Sequence, residues 1–392
     1  MEVNQQEKSK VKNWPIVLLL VLMYIVVAMS DNFKGIFVPF FKGEFKVDNT
    51  EIGYVLTASL FAYAVFQYIG GILIEKYGYK KIIASGFIIA IVALLTLINC
   101  PSFPVLIIGM FLLNTGMAMF NIGVNTLGPV LTVASTAVLM NFINFSYGAG
   151  NTAIQKISGN LLASGIPWRK FYIFMIIAVI LLFIYLLVIK IPYKPKAAIV
   201  NWSKKDLFSN KMLYLYIGIC GLYLAAEYGI GNWFVNYMNE SFGFTADKSA
   251  FYVALFFGCE TIGRLFGGFI VDKLGHFRSI LIYGVIATLM SFAGIIMGEK
   301  GLLIFGLAGF AYSIIFPTII TTIGRVFKEA TSYATGLILM CGTLIAMLAS
   351  MGIGLLNDII GAQQAFYVIA IVVALTTACA QIINKRISKE ND

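Results

Sequence analysis

Twelve runs of apolar residues, each about the length a helix needs to cross a hydrocarbon layer, follow one another along this chain with little between them. A bilayer core about 30 Å thick takes about 20 residues at a rise of about 1.5 Å each. The runs fall at about 14–41, 50–75, 81–100, 103–127, 134–164, 168–190, 212–239, 246–271, 277–298, 301–324, 331–357 and 362–384. Backbone polar groups in hydrocarbon must be satisfied within their own segment, so the expected fold class is all-α. The chain reads as an integral membrane protein of twelve transmembrane helices. Composition excludes a soluble domain, because 60% of the 392 residues are hydrophobic and 12% charged, about half the usual charged share. The 37 glycines and 32 phenylalanines suit closely packed membrane helices. The polar start, Met1 to Lys12, lacks a cleavage pattern and is expected to be retained.

An even number of crossings puts both termini on one side. The loops on that side hold 19 Lys and Arg, against 6 in the opposite set, so both termini are expected in the cytoplasm of a cell-membrane protein. The net charge of +10 is therefore largely a topology signal, and no basic soluble face exists to bind nucleic acid. The longest polar stretch, with Pro192 and Pro195, divides the chain into expected six-helix bundles at 1–190 and 212–392 joined by a cytoplasmic linker at 191–211. The halves also repeat. Gly70 to Lys81 (GGILIEKYGYKK) recurs as Gly267 to Arg278 (GGFIVDKLGHFR), offset by 197 residues in a chain whose half is 196. In each copy a Gly pair, Gly71 among them, permits close helix contact. Glu75 with Lys76, and Asp272 with Lys273, can cross-link to neighbouring helices as gating residues.

This doubled pattern resembles the loop signature of the major facilitator superfamily, whose plan is two pseudo-symmetric six-helix bundles. Further stretches are similar to the fucose permease family of sugar:proton symporters. They are Gly35 to Pro39, Asn141 to Gly150, Ala226 to Trp233, Gly263-Arg264, Phe316 to Thr318, and Gly354 to Asp358. The resemblance implies alternating access and proton-coupled sugar uptake. Two positions depart from it. Gly35 and Asn121 stand where that family carries acids.

Ionisable groups within hydrocarbon cost about 2.5–3.5 kcal/mol each even on the lenient scale, so each requires a reason. Asp31 lies in the outer half of the first span, where it is either a proton site or the ion-pair partner of Lys34 at i,i+3. Glu227 follows Asp31 by 196 residues, so a two-fold repeat places the two carboxylates across a central cavity. Glu227, Asp31 and Glu260 are the proton-coupling candidates. Glu260 and Arg264 have the i,i+4 spacing of a helix ion pair, with Arg264 mainly structural.

Amides recur on single faces of two spans: Asn141, Asn144, Asn151 and Gln155 in the fifth, and Asn114, Asn121 and Asn125 in the fourth. Neutral side chains that both donate and accept suit a polyhydroxylated solute, although the same amides can bond helix to helix. Asn232 and Trp233 offer an amide and a stacking indole, with an interfacial role the alternative for the indole. Tyr63, Gln67 and Thr318 complete the expected substrate lining.

No catalytic motif or metal-ligand spacing appears, and the five cysteines sit inside apolar runs as small apolar residues. The chain is not expected to be an enzyme or to hold a cofactor or metal. Without a nucleotide site, uphill transport must draw on an ion gradient. The expected partners are a small polar solute such as a sugar, protons and the lipid bilayer, and the chain is expected to act as a monomer. The alternative is an exporter of drugs or lipids. The fifth span has Gly148-Ala149-Gly150 without the glycine-proline motif of that superfamily's antiporters.

Overall fold

The computed structural model describes residues 2–128, 131, 136–191, 204–327 and 331–391, all helix and short turns, with no strand among them. Side chains at 2–12, 75, 136–138, 140, 141, 204, 268, 272, 324, 325, 331–333 and 386–391 lie outside that description. The expected linker therefore falls largely outside it too. Eleven helices among the described residues are long and apolar enough to cross a membrane. A further 28-residue helix, Thr136–Ala163, occupies the place of the fifth crossing.

The first six crossings are α1 (Glu2–Ile36), α3 (Asn49–Tyr77), α4 (Tyr79–Ile98), α5 (Phe103–Leu127), α6 (Thr136–Ala163) and α7 (Trp168–Val188), with the short α2 (Val38–Phe45) between the first two. After α8 (Lys204–Ser209) come α9 (Lys211–Phe242), α10 (Ala246–Leu274), α11 (His276–Ile296), the broken tenth crossing α12 (Leu302–Leu307), α13 (Gly309–Tyr312) and α14 (Ile315–Phe327), then α15 (Thr331–Ile360), α16 (Ala362–Ala365) and α17 (Tyr367–Asn391). Twelve crossings bring the start of α1 and the end of α17 to one end of the bundle, called here the terminal end.

Two spans differ from their sequence outline, both at proline. The first apolar run continues to residue 41, but α1 stops at Ile36 and α2 restarts with Pro39 in its first turn, where a missing N–H costs no helical bond. In the tenth crossing Pro317 cannot donate to residue 313. The chain turns at Ser313 and Ile314, and the Ser313 hydroxyl bonds the Phe310 carbonyl at 2.7 Å.

The halves pack through α3 against α15, α6 against α10 and α1 against α9. Small residues let them approach: a Cβ on Gly35 would overlap the Gly231 carbonyl, and one on Gly159 would meet Ala250. Gly35 and Gly231 are 196 residues apart, close to the 197-residue repeat offset, so the α1–α9 contact joins nearly equivalent positions of the two halves.

At the far end, opposite the termini, polar bonds tie the halves together. The first turn of α3 has an internal capping box, Asp48 accepting from Glu51 N at 2.7 Å and Glu51 from Asp48 N at 3.0 Å. The Asn49 and Thr50 N–H groups remain, and Asp358 of α15 accepts both, at 3.1 and 2.6 Å. It also accepts from Asn49 Nδ2 at 2.9 Å and Thr50 Oγ1 at 2.6 Å. Asp358 sits unfavourably at the negative C-terminal end of its own helix and favourably at the positive N-terminal end of α3. Lys42 pairs with Glu240, which also accepts from Asn49 Nδ2 at 3.1 Å. Asn236 Nδ2 donates to Asn49 Oδ1 at 3.1 Å.

Candidate functional site

Below this closed end, at mid-depth, α1, α3, α6, α9 and α10 surround a cavity holding about 740 Å³ of space, counted to its open mouth. The first half contributes Asp31, Asn32 and Lys34 from α1, Leu60 and Tyr63 from α3, and Tyr147, Gly148 and Asn151 from α6. The second contributes Glu227, Tyr228, Gly231 and Asn232 from α9, and Phe257, Glu260, Thr261 and Arg264 from α10.

Charge is arranged differently on the two walls. In the first half Lys34 Nζ lies 2.6 Å from Asp31 Oδ1 and 3.0 Å from Asn114 Oδ1, with Lys34 only 6% exposed. The i,i+3 pair therefore forms inside the bundle, and the lysine does not reach outward. Tyr147 donates to the other Asp31 oxygen at 2.9 Å. Nearby, Asn32 donates to Ala28 O at 2.8 Å and to Asn151 Oδ1.

In the second half one guanidinium serves two carboxylates. Arg264 Nη2 lies 2.7 Å from Glu260 Oε1 and 3.2 Å from Glu227 Oε1. Glu260 is 2% exposed. The Tyr223 hydroxyl lies 3.2 Å from Glu260 Oε1 and 3.1 Å from the Tyr312 carbonyl, sharing one proton between two acceptors. The first wall thus carries one negative and one positive group, the second wall two and one. With Glu227 and Glu260 both ionised, the cavity holds one carboxylate that no cation of its own offsets.

Of the residues singled out in the sequence, the cavity brings together Asp31, Lys34, Tyr63, Asn151, Glu227, Asn232, Glu260 and Arg264. The amides of the fourth span lie elsewhere. Asn121 Oδ1 accepts from Gln67 Nε2 at 2.9 Å and from Asn125 Nδ2 at 2.8 Å, making a cluster between α3 and α5. Asn144 is exposed on α6, is not among the residues lining the cavity, and has a partner of its own. Trp233 is 0% exposed, its indole donating to Ser350 O at 3.1 Å and Ser350 Oγ at 3.0 Å.

Thr318 bonds the Ile314 carbonyl at 2.5 Å and borders a second space of about 500 Å³ toward the terminal end, which Arg264 and His276 also line. Gly71 is half-buried against Ile122, whereas Lys76 and Lys273 are exposed. The side chains of Asn141, Glu75 and Asp272 lie outside the described residues.

Sequence reasoning did not single out Asn32, Tyr147 and Tyr228 as cavity residues. Each is adjacent to or within a stretch already noted for polarity, and that adjacency is the signal that was available.

Among curated relatives, the glucose/galactose transporter of Brucella abortus biovar 1 (strain 9-941) is 22% identical over 383 residues, covering 92% of both chains. The L-fucose-proton symporter of Escherichia coli (strain K12) is 23% identical over 366 residues, covering 82% of each. A crystal structure of a transporter of this fold, FucP, in the outward conformation matches with a TM-score of 0.68 at 20% identity, covering 93% of this chain and 98% of that one. The profile of the Major Facilitator Superfamily matches residues 20–307 and 224–390. This multi-pass membrane protein, with its two six-helix halves around a polar cavity, belongs to the major facilitator superfamily of transporters.

Proposed function

We propose that the chain is a proton-coupled sugar transporter of the cell membrane, moving a small uncharged polyhydroxylated solute by alternating access. The single observation that carries this reading is the Glu227–Arg264–Glu260 cluster in the wall of the cavity. An uncompensated charge within a membrane protein is costly, so two carboxylates sharing one guanidinium favour binding one proton. Asp31, held by Lys34 and Tyr147, has its charge matched already. The proton is therefore assigned to Glu227 and Glu260 as a pair, and Asp31 acts as part of the fixed polar wall. The permanently charged Arg264 holds the pair together without itself releasing a proton.

The solute class follows from the same wall. A cavity with a surplus carboxylate disfavours anions, while Tyr63, Tyr147, Tyr228, Asn151 and Asn232 offer neutral donors and acceptors. Sugars are carried by the Brucella and Escherichia coli relatives, which supports this choice over export of apolar compounds.

With both termini in the cytoplasm, as the distribution of Lys and Arg argues, the end tied by Asp358 and Glu240 faces outward. The structure then corresponds to the phase in which the outer side is closed, and rocking of the halves about the cavity exchanges access. Purified protein in liposomes, supplied with radiolabelled D-glucose, D-galactose or L-fucose, tests the reading. Accumulation is expected when the solute compartment is acidified relative to the other side, and it should collapse with a protonophore. Transport of none of these sugars, or uptake indifferent to the pH gradient, contradicts it.

A further inference from the structure

Three phenols line the cavity, and two of them belong to the first half. Of these, Tyr147 is already engaged, donating to Asp31 at 2.9 Å. Tyr228 differs: its hydroxyl has no hydrogen-bond partner among the described residues, yet it is not sealed away among the buried orphan atoms. It also comes from the other half of the molecule, following Glu227 on α9 and sharing the cavity with Asp31.

A phenol is amphipathic, and in a folded interior its hydroxyl nearly always finds a partner. A vacant one facing a cavity is therefore a position where a ligand oxygen belongs. Asn232 follows one helical turn later on the same face of α9. Its only bond among the described residues is a long one, Nδ2 to Ser350 Oγ at 3.5 Å, so its carbonyl oxygen is available too. Among the polar groups of the second wall, Glu227, Glu260 and Arg264 are occupied with one another, and Thr261 donates to Phe257 O at 2.7 Å.

We infer that Tyr228 is a substrate-binding and specificity-determining residue that grips one hydroxyl group of the solute from the second half, with Asn232 beside it. The inference rests on the sugar reading given above. Because the first half's hydrogen-bonding groups in the cavity are largely paired among themselves, the hydroxyl held by Tyr228 fixes which face of the solute turns toward α9. Removing either the phenol oxygen or the matching sugar oxygen leaves the other unpaired, and the two losses are one interaction counted from its two sides.

The test is a cycle of Tyr228→Phe against monodeoxy derivatives of whichever of D-glucose, D-galactose or L-fucose the wild type binds, read as equilibrium affinity in detergent. The expected result is a loss of about two- to tenfold for Tyr228→Phe with the parent sugar, the usual net worth of one hydrogen bond. One deoxy position should cost the wild type a similar factor and cost Tyr228→Phe nothing more. Since the hydroxyl has no protein partner, the sugar-free melting temperature of Tyr228→Phe should equal that of the wild type. A melting temperature lowered by several degrees overturns the inference by making the hydroxyl structural. Parent-sugar affinity unchanged in Tyr228→Phe, or deoxy penalties identical in both proteins, overturns it as well. Failure of the wild type to bind any of the three sugars contradicts the function itself, an outcome visible without any variant.

Discussion

Asp358 offers the sharpest perturbation of the closed end. Its carboxylate accepts four bonds from the first turn of α3, at 2.6 to 3.1 Å, and every one joins the two halves. Removing it frees two backbone N–H groups at a helix N-terminus, where capping is worth about 0.5–2 kcal/mol and the favourable charge about 0.3–1 kcal/mol more. Asp358 is exposed, and solvent competition trims such gains. A net loss of about 2 kcal/mol for Asp358→Ala follows, roughly a thirtyfold shift from far-end-closed toward far-end-open molecules. Asp358→Asn keeps one acceptor and should shift the equilibrium by less. Spin labels on cysteines replacing Tyr54 of α3 and Leu355 of α15 report the separation of these ends by double electron–electron resonance. The longer-distance population should grow in the order wild type, Asp358→Asn, Asp358→Ala. An unchanged distance distribution in Asp358→Ala would refute the claim that this cap holds the far end shut. Because Asn49 bonds both Asp358 and Glu240, Asp358→Ala combined with Glu240→Ala should be non-additive.

The crossing of α1 and α9 predicts an asymmetry. A Cβ on Gly35 would collide with the Gly231 backbone, whereas one on Gly231 meets only Phe257 at 3.6 Å, so Gly35→Ala should hold the halves apart in the same labelling experiment and Gly231→Ala should not. Glu44 provides a pH handle: the hydrogen bond from Arg169 holds its carboxyl below the usual carboxylate range, with Trp168 adding a second bond at 2.7 Å. A folded-state value depressed in this way stabilises the protein above the usual carboxylate range and is lost as pH falls through the folded value, so melting temperature against pH should fall more steeply on the acid side for wild type than for Glu44→Gln. Trp233→Phe leaves the buried Ser350 groups without their donor, and a destabilisation of about 1–3 kcal/mol is expected, measured as a lower melting temperature, with sugar affinity unaltered because the indole stands outside the cavity.

Much of the fold was legible because hydrocarbon thickness sets run length and the 197-residue repeat sets the division into halves. Asp31 and Glu227 were legible for the same reason: repeat symmetry pairs them whatever the details of packing. The amides were not. Asn121 with Asn125, and Asn32 with Asn151, carry the same chemistry on similar helices, yet the first pair bonds toward Gln67 of α3 and the second faces the cavity. In a bundle apolar on nearly every face, the hydrophobic pattern carries little information about which stripe meets a neighbour and which meets the central space. Only the rotation of each helix within the bundle separates them. Tyr228 was missed for a related reason, since its value lies in a bond it does not make.

The central claim is that Glu227 and Glu260, sharing Arg264, carry the coupled proton. Substrate-evoked proton movement tests it most directly, recorded in lightly buffered liposomes holding wild type, Glu227→Gln or Glu260→Gln, with sugar exchange measured in parallel. Sugar entry into wild-type vesicles should carry about one proton per molecule. At least one glutamine variant should exchange sugar across the membrane while moving no proton and accumulating nothing under an imposed pH difference. If both variants still move protons with sugar as the wild type does, the carboxylate pair is a structural ion cluster and the proton travels by another group.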